Sequence, residues 1–564
     1  MDMYRAFLAV ILSFIVLFGY QYLFVKPQPK QPVEQTQTQA KQAAKDKTLQ
    51  KNAAPQTASD APSQKESVPV PQQPIISAAP QQTKDAGSFA DITVDTPLYT
   101  AVFSENGGGV KSFLLKKYRE DNTPDSGPMQ LVKTNRSEEL PHIFTPFAKT
   151  RAALPAYDAD KENLKLDDQA DKQSLSMRAE LNGLELVRTL TFDPASYAFD
   201  VTITMRNTSA HAVEISPALY QTNLPFSKTK SFSRYQFGGP AYYTTDDGLT
   251  EIKAKKLAEG PQVFRGKIQW AAYEDNYFIS AAIPLTPTDR TVKAQAIGKK
   301  VITVLEDPSA VLPAGGEQTL TYKIYLGPKK LSILEATDHN LSKAVNFGWF
   351  DALARPTLWL LNFLYGYVHN YGVAIILVTI FIKLLFWPIT QKGMKSMKNM
   401  QKLQPKIAKL KEKYKDDPTK MNQEMMTLYK TYKVNPLGGC LPMVIQIPVF
   451  FALYKVLLQA IELRHAPFML WITDLSAPDR LPIGVDIPYL GGIPVLTLLM
   501  GASMFLQQKM TPSTGDPTQQ KIMMMLPLIF TFMFVNFPSG LVLYWFVNNL
   551  LSILQQQLIN KQTK

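Results

Sequence analysis

One cysteine, Cys440, is all the thiol this 564-residue chain holds. No intrachain disulfide is possible, which excludes the small disulfide-stapled class. The tetrad Leu437-Gly438-Gly439-Cys440 looks like a lipoprotein cleavage box. Such a box belongs just after an N-terminal signal, and this one lies deep in the chain behind a lysine-rich segment. Metal-ligand spacing, a nucleophile elbow and nucleic-acid motifs are also missing. An enzyme reading therefore has no nucleophile–base pair or metal cluster to rest on. No Asp or Glu lies in any of the five long apolar segments after residue 369. A carboxylate proton relay through the membrane is excluded with them.

What is present is unevenly distributed. Hydrophobic residues make up 45% and charged residues 19%, with a formal net charge of +13. Residues 6–25 form an uninterrupted apolar run behind Arg5. About 20 residues at a helical rise of 1.5 Å match a bilayer core of ~30 Å. Bulky residues from Tyr22 to Lys26 leave no small-residue cleavage site, so the run reads as a retained anchor. Arg5 places the N-terminus in the cytoplasm. Residues 26–87, rich in Gln, Pro, Ala, Lys, Thr and Ser, read as a disordered periplasmic linker.

Between 88 and 330 the pattern changes. Segments such as ELVRTLTFD and AFDVTITMRN alternate apolar and polar, and Gly, Asn, Asp and Pro clusters punctuate them. Short alternating strands with turn signals predict an all-β antiparallel sandwich. With the N-terminus inside, this domain lies across the membrane. Its scattered acidic residues read as solvated strand faces, and no chemistry is evident in it.

From 345 onward the chain is membrane material. Residues 345–366 mix Trp, Phe and Leu with Asp351, Arg355 and Asn362, which predicts an amphipathic helix lying in the interface. Apolar spans follow at 370–389, 440–461, 489–508, 521–537 and 540–558. With the first run this makes six spans. The domain plan places transmembrane span 2 in 367–390, a cytoplasmic hairpin in 391–435 and spans 3 to 6 in 436–560. Lysines crowd 391–435, whereas 463–488 is nearly balanced. The positive-inside rule puts the first loop in the cytoplasm, and counting spans gives the same answer. Both termini are then cytoplasmic.

The basic loop carries two apolar stripes at helical spacing. Met394, Met397, Leu403, Ile407, Leu410 and Tyr414 make the first, and Met421, Met425, Leu428 and Tyr432 the second. Asp417 and Pro418 suit a cap and a first helical position between them. The result is an antiparallel helical hairpin. Its methionines, Met397 and Met425 among them, suit adaptable contacts with varied partners, although plain packing between the arms would give the same pattern.

Polar residues inside the spans are few. Thr379 and Lys383 lie four apart on one helical face. Gln446 lies in the next span, and Asn548 lies in the last near Tyr544 and Trp545. Lys383 is about 10 Å of helical rise from Thr390, so snorkelling to the cytoplasmic surface is one reading. A position facing a hydrated cavity is the other, favoured by the lack of a carboxylate partner.

Several stretches resemble one family. NPLGGCLPMVIQIPVFFALY (435–454), QEMMTLYK (423–430), ELRHAPFMLWITDLSAPD (462–479), DPTQQKIMMMLP (516–527) and FPSGLVLYWFVNNL (537–550) are similar to the bacterial YidC insertases of the wider Oxa family. The opening Met1-Asp2 with Arg5 is similar too. The resemblance implies a five-helix core with a hydrophilic groove open to cytoplasm and lipid, beside a periplasmic β-supersandwich of the Gram-negative type. It puts Lys383 at the groove's single cationic position, where many relatives carry arginine. Thr379 is implied as a groove position, and Gln446, Tyr544, Trp545 and Asn548 complete the expected groove set. The implied partners are nascent membrane proteins, the Sec translocon with its accessory proteins, ribosomes delivered by signal recognition particle, and membrane lipids. No cofactor, metal or specific nucleic-acid sequence is implied. The chain stops at Lys564, soon after the last span, so ribosome docking is expected to use the loops rather than a basic tail. The expected function is insertion and folding of membrane proteins in the bacterial inner membrane. A transporter or channel with a periplasmic sensor domain is the alternative, although no inverted repeat is visible.

Overall fold

The computed structural model describes residues 89–562, apart from 124, 149–153, 227–236, 433, 435–440, 485, 486, 488, 489 and 512–516. The expected anchor over 1–25 and the linker over 26–87 lie outside the described residues.

The alternating segments build strands as their period requires. Leu184–Phe192 buries every second side chain, and Ala198–Asn207 pairs with it antiparallel, Phe199 opposite Phe192. These strands belong to a nine-stranded antiparallel sheet whose centre is the long strand Glu317–Pro328. Two five-stranded sheets accompany it. One is bound through aromatic packing: Phe103 meets Phe192 and Phe199 with ring centroids 5.8 and 5.7 Å apart. The other contributes Gln221, whose Nε2 donates to Ala271 O at 3.0 Å. One first-sheet pair, Asp91–Asp95 with Asn163–Lys165, is parallel, a departure from the purely antiparallel expectation. Two short helices, α1 (Ala254–Glu259) and α2 (Leu331–Thr337), interrupt the β-rich unit and lead out of it.

Among the described residues seven α-helices follow. They are α3 (Asp351–Val368), α4 (Tyr371–Lys413), α5 (Pro418–Thr431), α6 (Leu441–Gln459), α7 (Val495–Met510), α8 (Pro517–Phe534) and α9 (Ser539–Gln562). Among the described residues, α4 alone is long and apolar enough to cross a membrane by length and composition. It runs unbroken for 43 residues, so the expected span and the first hairpin arm are one helix. Lysines and methionines after Thr390 are good helix formers, and nothing at the membrane boundary stops the chain. Two internal prolines, Pro388 and Pro405, leave it helical. The break comes where Asp417 caps α5 by accepting from Lys420 N at 3.0 Å, with Pro418 at the first helical position. Lys406 Nζ bonds Tyr432 Oη and ties the two arms.

The two units meet directly. Arg464, just beyond α6, donates Nη1 to Arg119 O at 2.7 Å and Nη2 to Glu120 O at 2.8 Å, at the end of strand Val110–Arg119. The same guanidinium lies 5.2 Å from the Phe278 ring centroid. Asn122 Nδ2 donates to Thr473 O at 2.9 Å, and Asn276 Nδ2 to Leu458 O at 3.0 Å. Hydrogen bonds from a charged donor contribute about 1.5–3 kcal/mol. Arg464→Ala should therefore weaken the junction by about 2–3 kcal/mol. Arg464→Lys should recover only part, because one ammonium lacks the planar fork that reaches two carbonyls. Thermal unfolding of the purified protein checks this. The Ala variant should melt earlier or in two steps, and an unchanged single transition would refute the role.

Candidate functional site

Helix α4 begins at Asn370, whose side chain accepts from Val373 N at 3.0 Å and fixes the helix start. Thirteen residues on, Lys383 projects from the face that meets α9. Its Nζ donates to Ser552 Oγ at 2.7 Å. Among the described residues it pairs with this hydroxyl and with no carboxylate. Ser552 Oγ in turn donates to Asn548 O, one turn earlier, at 2.7 Å. Gln446 Nε2, on α6, donates to Asn548 Oδ1 at 3.2 Å. A polar column thus links three helices through Lys383, Ser552, Asn548 and Gln446.

A second contact lies further along the same two helices, about 10 Å by rise on α4 and about 4.5 Å on α9. Gln555 Nε2 donates to Thr390 Oγ1 at 2.7 Å. On another face of α9, Asn549 Nδ2 donates to Ser503 Oγ on α7 at 3.1 Å. Asn548, Ser552 and Gln555 recur at four and three residues, as do Thr379, Lys383 and Thr390 at four and seven. Each set is one helical stripe.

The other expected residues take different places. Thr379 is buried and turns its hydroxyl back to Ile375 O at 2.7 Å, within its own helix. Tyr544 is buried, and its ring stacks 6.3 Å from that of Phe450. Trp545 packs against Phe450 at 4.7 Å and Phe534 at 4.6 Å. These two aromatics therefore form a packed block beside the column rather than part of its hydrogen-bonded chain. Met397 and Met425 are half-buried, one on each hairpin arm. Met397 lies about 21 Å of helical rise beyond Lys383. Ser552, Gln555 and Thr390 were not among the expected residues. Their signal was the helical spacing of polar residues on α9, facing another helical stripe of polar residues on α4.

The chemistry available here is hydrogen bonding and one positive charge. Among the described residues no group of three or more His, Cys, Asp or Glu could hold a metal. On the outside of the bundle, Phe532 is 85% exposed and Leu528 70%, apolar side chains suited to lipid.

Two family models match the chain. The YidC periplasmic domain covers residues 91–360, and the 60Kd inner membrane protein family covers 363–564. Membrane protein insertase YidC of Syntrophus aciditrophicus is 44% identical, with 99% of each chain covered. That of Syntrophobacter fumaroxidans is 46% identical over 84% of this chain and 86% of the relative. Among solved structures, an active YidC insertase with its first transmembrane domain resolved is 19% identical, covering 83% of this chain and 92% of its own at a TM-score of 0.34. The families, the full-length relatives and the β-rich unit followed by a helical one agree, and this chain belongs to the YidC family of membrane protein insertases.

Proposed function

We propose that the column of Lys383, Ser552, Asn548 and Gln446 lines a hydrated groove that receives the polar parts of a membrane protein during its insertion. Membrane protein insertion is this family's activity, and it needs no bond-breaking chemistry. The work is physical. A charged side chain at bilayer depth costs about 2.5–3.5 kcal/mol on insertion scales. A polar, watered path part-way through the membrane shortens the dry distance over which that cost applies.

One observation carries the reading: the Lys383 ammonium turns inward to a hydroxyl on α9. A snorkelling lysine would run along its helix to the aqueous surface. Ser552 and Asn548 supply neutral oxygens that tolerate a cation without cancelling its charge. The field that remains favours acidic and polar client segments. In this reading the chain has six spans with both termini cytoplasmic in the bacterial inner membrane, and the groove opens to the cytoplasm. The amphipathic helix α3 lies in the interface, its Trp359, Phe363 and Tyr367 exposed. The lysine-rich α4–α5 hairpin faces ribosomes, the targeting pathway, the Sec translocon and emerging clients.

Substitutions at Lys383 test the groove. Arginine should preserve insertion, alanine should give an intermediate defect, and glutamate should impair clients with acidic translocated tails most. Ser552→Ala should mimic a mild form of the alanine variant, because the ammonium loses the partner that holds it inward. The measurement is insertion of matched substrates with acidic or neutral tails into proteoliposomes at equal insertase levels. If the alanine and glutamate variants handle both tails like wild type, the groove role fails.

The hairpin is tested separately. Photocrosslinkers at Met397 and Met425 should capture nascent chain, ribosome or targeting receptor in translating membranes. Capture of hairpin residues alone would reduce the methionine stripes to internal packing.

A further inference from the structure

The segment Pro467–Ile472 follows Arg464 and forms a tight turn. Ile472 N donates to Met469 O at 3.1 Å, and Phe468 N donates to Ile472 O at 2.9 Å. Leu470 is the second residue of that turn, with φ of 56°. Turns of this hand favour Gly, Asn or Asp there, because a branched side chain crowds its own backbone in the left-handed region. Here a leucine takes the position and is 82% exposed, beside Met469 at 49%. Among the described residues nothing covers Leu470 enough to offset the strain.

The turn's base is firmly held. Asn370 Nδ2 donates to Phe468 O at 2.8 Å. The Phe468 ring lies so close to Gly372 that a Cβ there would come within 2.0 Å of Cδ2. Trp471 Nε1 donates to Asp479 Oδ1 at 2.6 Å. The tip therefore projects from the first turn of α4, where the apolar span begins. Beside the same corner ends the exposed aromatic row of α3, with Tyr367 71% exposed. No residue from Pro467 to Ile472 is ionisable.

We infer that Met469 and Leu470 form an anchor that enters the lipid leaflet on the side of the β-rich unit, at the boundary between acyl chains and head groups. This inference rests on the proposed placement of α4 as a span. Lipid is the occupant that fits. The patch is uncharged, small and anchored at its base to the start of the span. A leucine held rigidly outward by a strained turn is poor surface design in water and good design in a bilayer interface. The anchor would fix the height of the α4–α6 corner against the membrane.

Collision accessibility of nitroxide labels tests this in full-length protein in nanodiscs of phosphatidylethanolamine and phosphatidylglycerol. In a Cys440→Ser background, labels go at Leu470→Cys, at Phe532→Cys as a lipid-facing reference and at Lys409→Cys as an aqueous one. Leu470 should resemble Phe532, favouring oxygen over a water-soluble nickel complex several-fold. An aqueous signal at Leu470 with lipid contact at Phe532 overturns the inference alone. Aqueous signals at both overturn it together with the span placement. A second variant, Leu470→Gly, relieves the backbone and removes the apolar side chain. A label at Met469→Cys should then shift several-fold toward water, while the melting temperature in detergent does not fall. An unmoved label would show that the leucine is not the anchor.

Discussion

The Lys383 ammonium donates to Ser552 Oγ at 2.7 Å inside a bundle whose outer surface is apolar. A carboxylate partner would neutralise the charge and give a closed, dry ion pair. A lipid-facing position would force the side chain to reach for the surface. The hydroxyl does neither. Among the described residues it holds the cation inward without a compensating carboxylate, so the site stays polar. The rest of the helical unit can be read from that polar contact. α9 must present Asn548, Ser552 and Gln555 on one stripe, α6 must bring Gln446 to it, and α4 must stay helical past Pro388 to carry both Lys383 and Thr390.

Much of this was legible in the chain. The period of two in Leu184–Phe192 and Ala198–Asn207 marked strands because one face of each is buried. Asp417 and Pro418 marked the hairpin break because capping chemistry is local. Lys383 stood out because an ionisable group in an apolar run is costly. Ser552 did not stand out, since serine in a helix is unremarkable until the register between two helices is known. Tyr544 and Trp545, expected in the groove set, have their rings packed on Phe450 and Phe534. Thr379 likewise satisfies itself within α4. Side-chain polarity gives candidates, and only interhelical geometry decides which of them meet.

The junction between the two units was beyond sequence reasoning for a similar reason. Arg464 reaches backbone carbonyls 345 and 344 residues away. Carbonyl acceptors exist at every position, so no residue type announces them. Asn122 and Asn276 reach back to carbonyls in the same manner. The β-rich unit, which showed no chemistry of its own, is thereby held to the outer end of the helices through side-chain donors on both sides. The family reading joined insertion to this architecture; a transporter reading had no repeat to support it, and the full-length relatives are insertases.

Helix α4 has a mechanical consequence. At 43 residues it is a beam of roughly 64 Å, clamped at one end by Asn370 and free at the hairpin. A load on the free end does not dissipate in a flexible joint, because none separates hairpin from span. It arrives at the clamp as a bending moment. Compliance is greatest where the hydrogen-bond ladder lacks a rung, and Pro388 removes one five residues beyond Lys383. A nascent membrane protein leaning on the hairpin would thus flex the beam next to the half-buried cation and open the column without touching it.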